Sequence, residues 1–196
     1  MNLRALIFPI LLFSFAAQAN DTRHSHVSKY VGQEGRAIKS LSPDDIAELR
    51  RGGGWGLARA AELNGVPGPA HLLEMKDEIP LTDAQVSTIT KIYEGMKTQA
   101  IKQGERLITL ERELEGHFQS RTITDMILRS SLEAIAGARK ELRYIHLATH
   151  LQTPEILSPD QIDKYNALRG YSNPDPCANI PKGHDPAMWR KHNGCK

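Results

Sequence analysis

Residues 81–117 read LTDAQVSTITKIYEGMKTQAIKQGERLITLERELEGH, and their spacing decides the fold. Val86, Ile89, Tyr93, Met96, Ala100, Gln103, Leu107, Leu110, Leu114 and His117 recur at alternating steps of three and four. Most are apolar, and the positions between them are largely polar. That pattern predicts one amphipathic helix from about residue 82 to about 119, roughly 55 Å long, with a coiled-coil-like seam. Gln103 and Gly104 interrupt the seam and mark a bend or a close approach. The same alternation returns at Leu128, Ser131, Ile135, Ala138, Leu142, Ile145 and Thr149. Thr122 with Asp125 is expected to start this second helix, which ends near Pro154. A short connection between two long seams predicts an antiparallel helical hairpin.

The opening hexad LTDAQV has two counterparts, LSPDDI at 41–46 and LSPDQI at 157–162. Thr82 suits an N-cap, with Gln85 at the third helical position reaching back to the Thr82 N–H. Leu81 and Val86 suit a hydrophobic staple across that first turn. Leu157, Ser158, Gln161 and Ile162 repeat these roles, and Pro159 at the first helical position sacrifices no hydrogen bond. Ser42 and Asp45 do the same at 41–46. Each cap contributes about 1 kcal/mol. The hexads therefore start helices and carry no chemistry of their own. Short helices are expected at 42–51, 55–64, 70–78 and 159–169, with Gly65 and Gly170 as stops. The fold class is all-α: a long hairpin with short flanking helices.

The first residues, MNLRALIFPILLFSFAAQAN, combine Arg4, an apolar run over 5–16 and the small-x-small triplet Ala17-Gln18-Ala19. That is an export signal, expected to be cleaved after Ala19, with no stable membrane insertion afterwards. Residues 20–40 read as a flexible segment, 41–171 as the helical domain and 172–196 as an irregular tail. Cys177 and Cys195 in that tail are expected to form a disulfide in an oxidising compartment. The closed loop of about 19 residues would contribute on the order of 3 kcal/mol. A Cys/His metal site with His184 and His192 is the alternative, although the spacing matches no common zinc module. The net charge of +2 excludes a dominant nucleic-acid surface. The chain also lacks a phosphate loop, a dinucleotide glycine pattern, a nucleophile elbow and an H-E-x-x-H helix, so no enzyme class is indicated.

The paired hexads, one opening the hairpin and one opening the last helix, resemble the periplasmic LTxxQ-motif family. That family includes Spy- and CpxP-type chaperones and related zinc-resistance and metal-sensor proteins. The motif residues are Leu81, Thr82, Gln85, Leu157, Ser158 and Gln161, and the resemblance spans Leu81–Tyr171. It implies a cradle-like homodimer in the periplasm that binds unfolded proteins without ATP, or an envelope-stress sensor. Metal binding or sensing within the same fold is the alternative. Helix-forming sequence over 27–80 and the cysteine-bearing tail depart from a minimal member.

Two surfaces are candidates for function. The first is a client-binding face of apolar and basic side chains: Met96, Lys97, Arg106, Leu107, Arg139 and Arg143. Its bland counterpart is an ordinary solvated helix face. The second is a site for a divalent transition metal (Zn, Ni, Co or Cu); no cofactor is otherwise required. His146 and His150 stand one helical turn apart, opposite Met96 and Tyr93 in an antiparallel hairpin. His71 and Glu74 reach that level if their helix folds back. The bland counterpart is a pair of hydrogen-bonded histidines in a helix interface.

Overall fold

A computed structural model describes residues 26–172, 176–178, 180–181 and 183–195. The proposed signal sequence, residues 1–19, lies outside the described residues, as does His24. The chain divides into two compact units, one up to Glu34 and one from Gly35 onward. In the first, residues 26–34 form turns closed by Val31 N–H to Ser28 O (3.3 Å) and Gln33 N–H to Tyr30 O (3.0 Å).

The second unit is helical, and no strand occurs among the described residues. Its elements are α1 (Pro43–Arg50), α2 (Arg59–Glu62), α3 (Pro69–Glu74), α4 (Asp83–Gln119), α5 (Asp125–Gln152), α6 (Pro159–Leu168) and α7 (Pro186–His192). The long hairpin is α4 against α5, and α1 and α3 pack on α4.

All three hexads form complete capping boxes. Two of them do more. Gln85 Nε2 donates to Gln161 Oε1 (2.9 Å), and Gln161 Nε2 donates to Gln85 Oε1 (3.1 Å). Gln85 Nε2 also donates to Ile156 O, and Gln161 Nε2 to Pro80 O, each at 2.8 Å. Each Oε1 meanwhile accepts its own cap N–H, from Thr82 or Ser158, at 2.9 Å. Every donor and acceptor of both amides is therefore used. The pair ties the first turn of α4 to the first turn of α6. In the third hexad Asp45 stands in place of Gln and accepts from the Trp55 indole (2.8 Å). These hydrogen bonds, led by those from Ser42 and Trp55, hold the Asp45 carboxyl below its ordinary pKa.

Two cores lie in this unit. Leu72, Ile79, Ile89, Leu157 and Tyr165 form one beneath the amide pair. Ile38, Leu41, Leu49, Leu107, Ile108, Ala138 and Leu142 belong to the other, where α1 crosses the hairpin. Gly104 makes that crossing, because a Cβ there would stand 2.5 Å from the Leu49 carbonyl oxygen. The interruption of the seam at Gln103–Gly104 is thus a close approach. Glu111 is buried and accepts from Arg139 (2.8 Å) on α5 and from Ser40 (2.7 Å) on the incoming segment.

Several boundaries differ from the sequence reading. Packing begins at Gly35 and not at 41, because Ile38 enters the core and Lys39 bonds Glu115 (2.6 Å). The cap of α5 is Thr124 and not Thr122. Thr122 instead closes α4: its N–H bonds His117 O (3.0 Å) while Arg121 N–H bonds Phe118 O (3.2 Å). This is a Schellman turn with Arg121 in the left-handed region at φ 56°. The expected 55–64 helix shrinks to α2, because Gly54 and the left-handed Trp55 and Gly56 hold the preceding stretch in turns. The tail is not wholly irregular: Asp185 caps α7 through Met188 N–H (2.8 Å). Cys177 and Cys195 are placed for a disulfide, with Cα atoms 5.5 Å apart.

Two outcomes follow. Gly104→Ala would gain about 1 kcal/mol of helix propensity. The clash with a backbone carbonyl outweighs that gain, so urea unfolding should show a net loss of about 1–3 kcal/mol. Gln161→Glu preserves the capping box but removes two donors. It is expected to destabilise by about 1–3 kcal/mol, and a double-mutant cycle of Gln85→Ala with Gln161→Ala should give a coupling of about 0.5–3 kcal/mol. Additive losses in that cycle would show that the amides do not act as a pair.

Candidate functional site

The histidine pair occupies the last two turns of α5, where that helix meets the turn between α2 and α3. The sequence there is Val66-Pro67-Gly68-Pro69. Its prolines lack N–H groups, so the turn cannot close a regular ladder and its carbonyls accept from side chains. His150 Nδ1 donates to Val66 O (2.9 Å), and the Thr153 hydroxyl donates to Pro67 O. A carbonyl only accepts, so the proton sits on Nδ1 and the neutral ring presents a lone pair at Nε2. Gly68 makes room for this ring, because a Cβ there would lie 2.6 Å from His150 Cε1.

His146, one turn earlier, is 4% exposed, and its Nε2 has no hydrogen-bond partner. Burial holds its pKa below the ordinary histidine value, and the neighbouring His150 adds to the effect; Glu48 and Glu62 oppose it. Thr149, between the two histidines, places its hydroxyl 2.7 Å from His146 O and 3.6 Å from Met96 Sδ.

These groups open onto one cavity of about 380 Å³. His71, Glu74, Met96, Lys97, His146 and His150 all line it, so α3 does fold back to the level of the pair. Glu48, Arg51, Glu62 and Tyr93 add to the polar wall. The sequence reading set Tyr93 opposite the pair but missed Glu48 and Glu62, which sit on separate short helices and follow no common spacing.

Two observations bear on a metal. His146 Nε2 and the fixed lone pair of His150 are suitable imidazole donors, and the Met96 thioether borders the same space. His71 is less suitable: its Nδ1 is 2.9 Å from Glu74 and its Nε2 3.6 Å from Glu62. Among the described residues no three His, Cys, Asp or Glu side chains form a group that could hold a metal ion. The pair with Met96 is thus a partial ligand set.

The expected client face is not built from the residues first singled out. Leu107 lies in the core, and Met96 is buried against α5. Arg139 bonds Glu111 and stacks 5.2 Å over the Trp55 ring. Lys97 stands 5.7 Å from the Tyr93 ring at the cavity, while Arg106 and Arg143 are simply exposed. The open apolar surface lies elsewhere on the hairpin. A groove of about 470 Å³ runs between α4 and α5, lined by Ile92, Gly95, Gln99, Tyr144, Ala148 and Gln152 among others. Tyr144 (63% exposed) and Leu151 (74%) lie on that face of α5, seven residues apart.

In the tail, His184 packs edge-on against Trp189 at 4.8 Å and His192 Nδ1 donates to Met188 O (3.1 Å). His26 is exposed. No helix among the described residues is long and apolar enough to cross a membrane. Compared with protein-family models, curated proteins and solved structures, the chain matches none.

The buried imidazole has a consequence for pH. The folded pKa of His146 lies below the unfolded value of about 6.5, so the unfolded chain binds the proton more readily. Its contribution is full above that pH and declines as pH falls below it. Urea midpoints measured at about pH 7.5 and 5.5 should therefore drop more in the wild type than in His146→Leu. Equal drops would place the acid sensitivity elsewhere.

Proposed function

We propose that the protein acts in the periplasm as an ATP-independent chaperone that binds unfolded or partner proteins along the outer face of its α4–α5 hairpin. The observation that carries this reading is the open groove with Tyr144 and Leu151 exposed beside it. Large apolar side chains left on one face of a two-helix layer are available for other chains. Gly95 and Ala148 line the trough with small side chains, which leaves room for varied segments. Weak, separable contacts of this kind favour fast release, as turnover without ATP requires. The export signal and the paired Leu-Thr/Ser-x-x-Gln hexads, which resemble those of periplasmic stress proteins, support the same reading. A homodimer would extend the face and belongs to the proposal. Purified protein is expected to suppress aggregation of an unfolded substrate at stoichiometric ratio without ATP. Tyr144→Glu/Leu151→Glu should abolish suppression while leaving the helical spectrum unchanged; full suppression by that variant would refute the assignment of the face.

A second reading is transition-metal binding at the histidine cavity, favoured by the unpartnered His146 Nε2 and the fixed tautomer of His150. There His146 and His150 would supply nitrogen donors and Met96 a thioether, and the metal would contribute Lewis acidity or a sensing charge. Calorimetry with Zn, Ni, Co and Cu should give a binding isotherm that His146→Ala/His150→Ala removes. Identical titrations would make the pair structural.

A further inference from the structure

Three residues on the wall of the histidine cavity carry uncommitted donor atoms. His146 is buried, and its Nε2 has no hydrogen-bond partner. His150 donates its Nδ1 proton to Val66 O (2.9 Å), which leaves a lone pair at Nε2. The third atom is Met96 Sδ. Thr149 Oγ1 stands 3.6 Å from it but 2.7 Å from His146 O, and its one proton goes to the nearer carbonyl.

The carboxylates of the same wall are engaged. Glu48 pairs with Arg51, Glu62 stands 3.7 Å from Arg169 and 3.6 Å from His71, and Glu74 lies 2.9 Å from His71. Lys97 adds a positive charge. The free donors are thus two neutral imidazoles and a neutral thioether. Neutral donors do not cancel the charge of a bound ion, and the cost of burying an ion rises with the square of its charge. A dication therefore costs about four times as much as a monocation of equal size. A thioether is also a soft donor, which favours copper(I). Zinc takes four ligands, and among the described residues no third His, Cys, Asp or Glu completes a group around the pair.

We propose, resting on the metal-binding reading of this cavity, that its ion is soft and monovalent: copper(I), with His146 Nε2, His150 Nε2 and Met96 Sδ as ligands, in preference to a divalent ion. Met96 is then the residue that sets specificity, because imidazoles alone suit zinc, nickel and copper alike.

Anaerobic titration of the full chain with copper(I) against bicinchoninate tests this. Ascorbate in place of a thiol keeps the copper reduced, so a disulfide between Cys177 and Cys195 stays closed and supplies no thiolate. One ion per chain is expected, bound at least about tenfold more tightly than zinc, nickel or cobalt measured against a competing chelator. Met96→Leu nearly conserves volume. It should weaken copper(I) about tenfold or more and leave zinc within about threefold, with an unchanged circular dichroism spectrum. X-ray absorption of the copper-loaded protein should show one sulfur in the metal shell, absent in Met96→Leu. Zinc bound as tightly as copper(I), or copper(I) affinity unmoved by Met96→Leu, would overturn the choice of ion while the cavity remained a metal site. Copper(I) binding that survives His146→Ala/His150→Ala would place the ion elsewhere and overturn the proposal. Failure of the wild type to bind any of these ions would remove the metal reading itself, and the proposal with it.

Discussion

The amide pair between Gln85 and Gln161 is the constraint on which the rest of the fold depends. A two-helix hairpin is closed at its tip by the turn over 120–124, but nothing intrinsic holds its open end together. The link from α5 to α6 is short, so wherever α6 docks, the end of α5 must follow. Fixing the first turn of α6 to the first turn of α4 therefore fixes α5 against α4 at the open end. It also brings Leu157 and Tyr165 over Leu72, Ile79 and Ile89. Because both amides have every donor and acceptor filled, a slip of either helix would strand several buried polar groups at once. The same interaction thus supplies binding and register.

Further along the hairpin the constraint is space and not hydrogen bonding. The inward stripe of α4 is too wide for α5 alone: Gly104, Ile108 and Glu111 face a second layer. Gly104 lets α1 approach to backbone distance there. Glu111 then joins both layers, taking one hydrogen bond from α5 and one from the segment before α1. The third hexad shows how the same cap adapts. Asp45 lacks the amide donors that Gln85 and Gln161 exchange, and its second partner is accordingly a donor, the Trp55 indole.

What the sequence made legible was whatever physics acts within one or two helical turns. The three hexad caps, the lengths of α4, α5 and α6 and the seam of α4 depend on neighbours three or four residues away, and these readings agree with the structure. The choice between Thr122 and Thr124 as a cap went the wrong way because both are good caps. The Schellman closure of α4, which needed Thr122, decided it. The meeting of Gln85 with Gln161 spans 76 residues and leaves no local trace, since glutamine suits the third helical position in either case. The site divides likewise. The one-turn spacing of His146 and His150, and their level opposite Met96, follow from helical and hairpin geometry. The engagement of His71 by Glu62 does not, because α2 is only four residues long and its position is set by the turn at 65–68.

His146 carries an energetic cost that its neighbours on α5 do not. Leu142, Ile145 and Thr149 on the same helix are buried with their needs met, whereas His146 keeps a buried nitrogen without a partner. Leaving such a group unsatisfied costs about 1–3 kcal/mol. An apolar residue at 146 would avoid that penalty and remove the acid sensitivity as well. Folding alone therefore gives no reason for an imidazole at that position. His150 argues similarly, since its lone pair is aimed by Val66 O and admitted by the missing Cβ of Gly68. Local departures from what stability prefers concentrate where a protein acts. The hairpin groove is consistent with weak, general binding, whereas the cavity keeps an imidazole nitrogen whose burial without a partner costs stability.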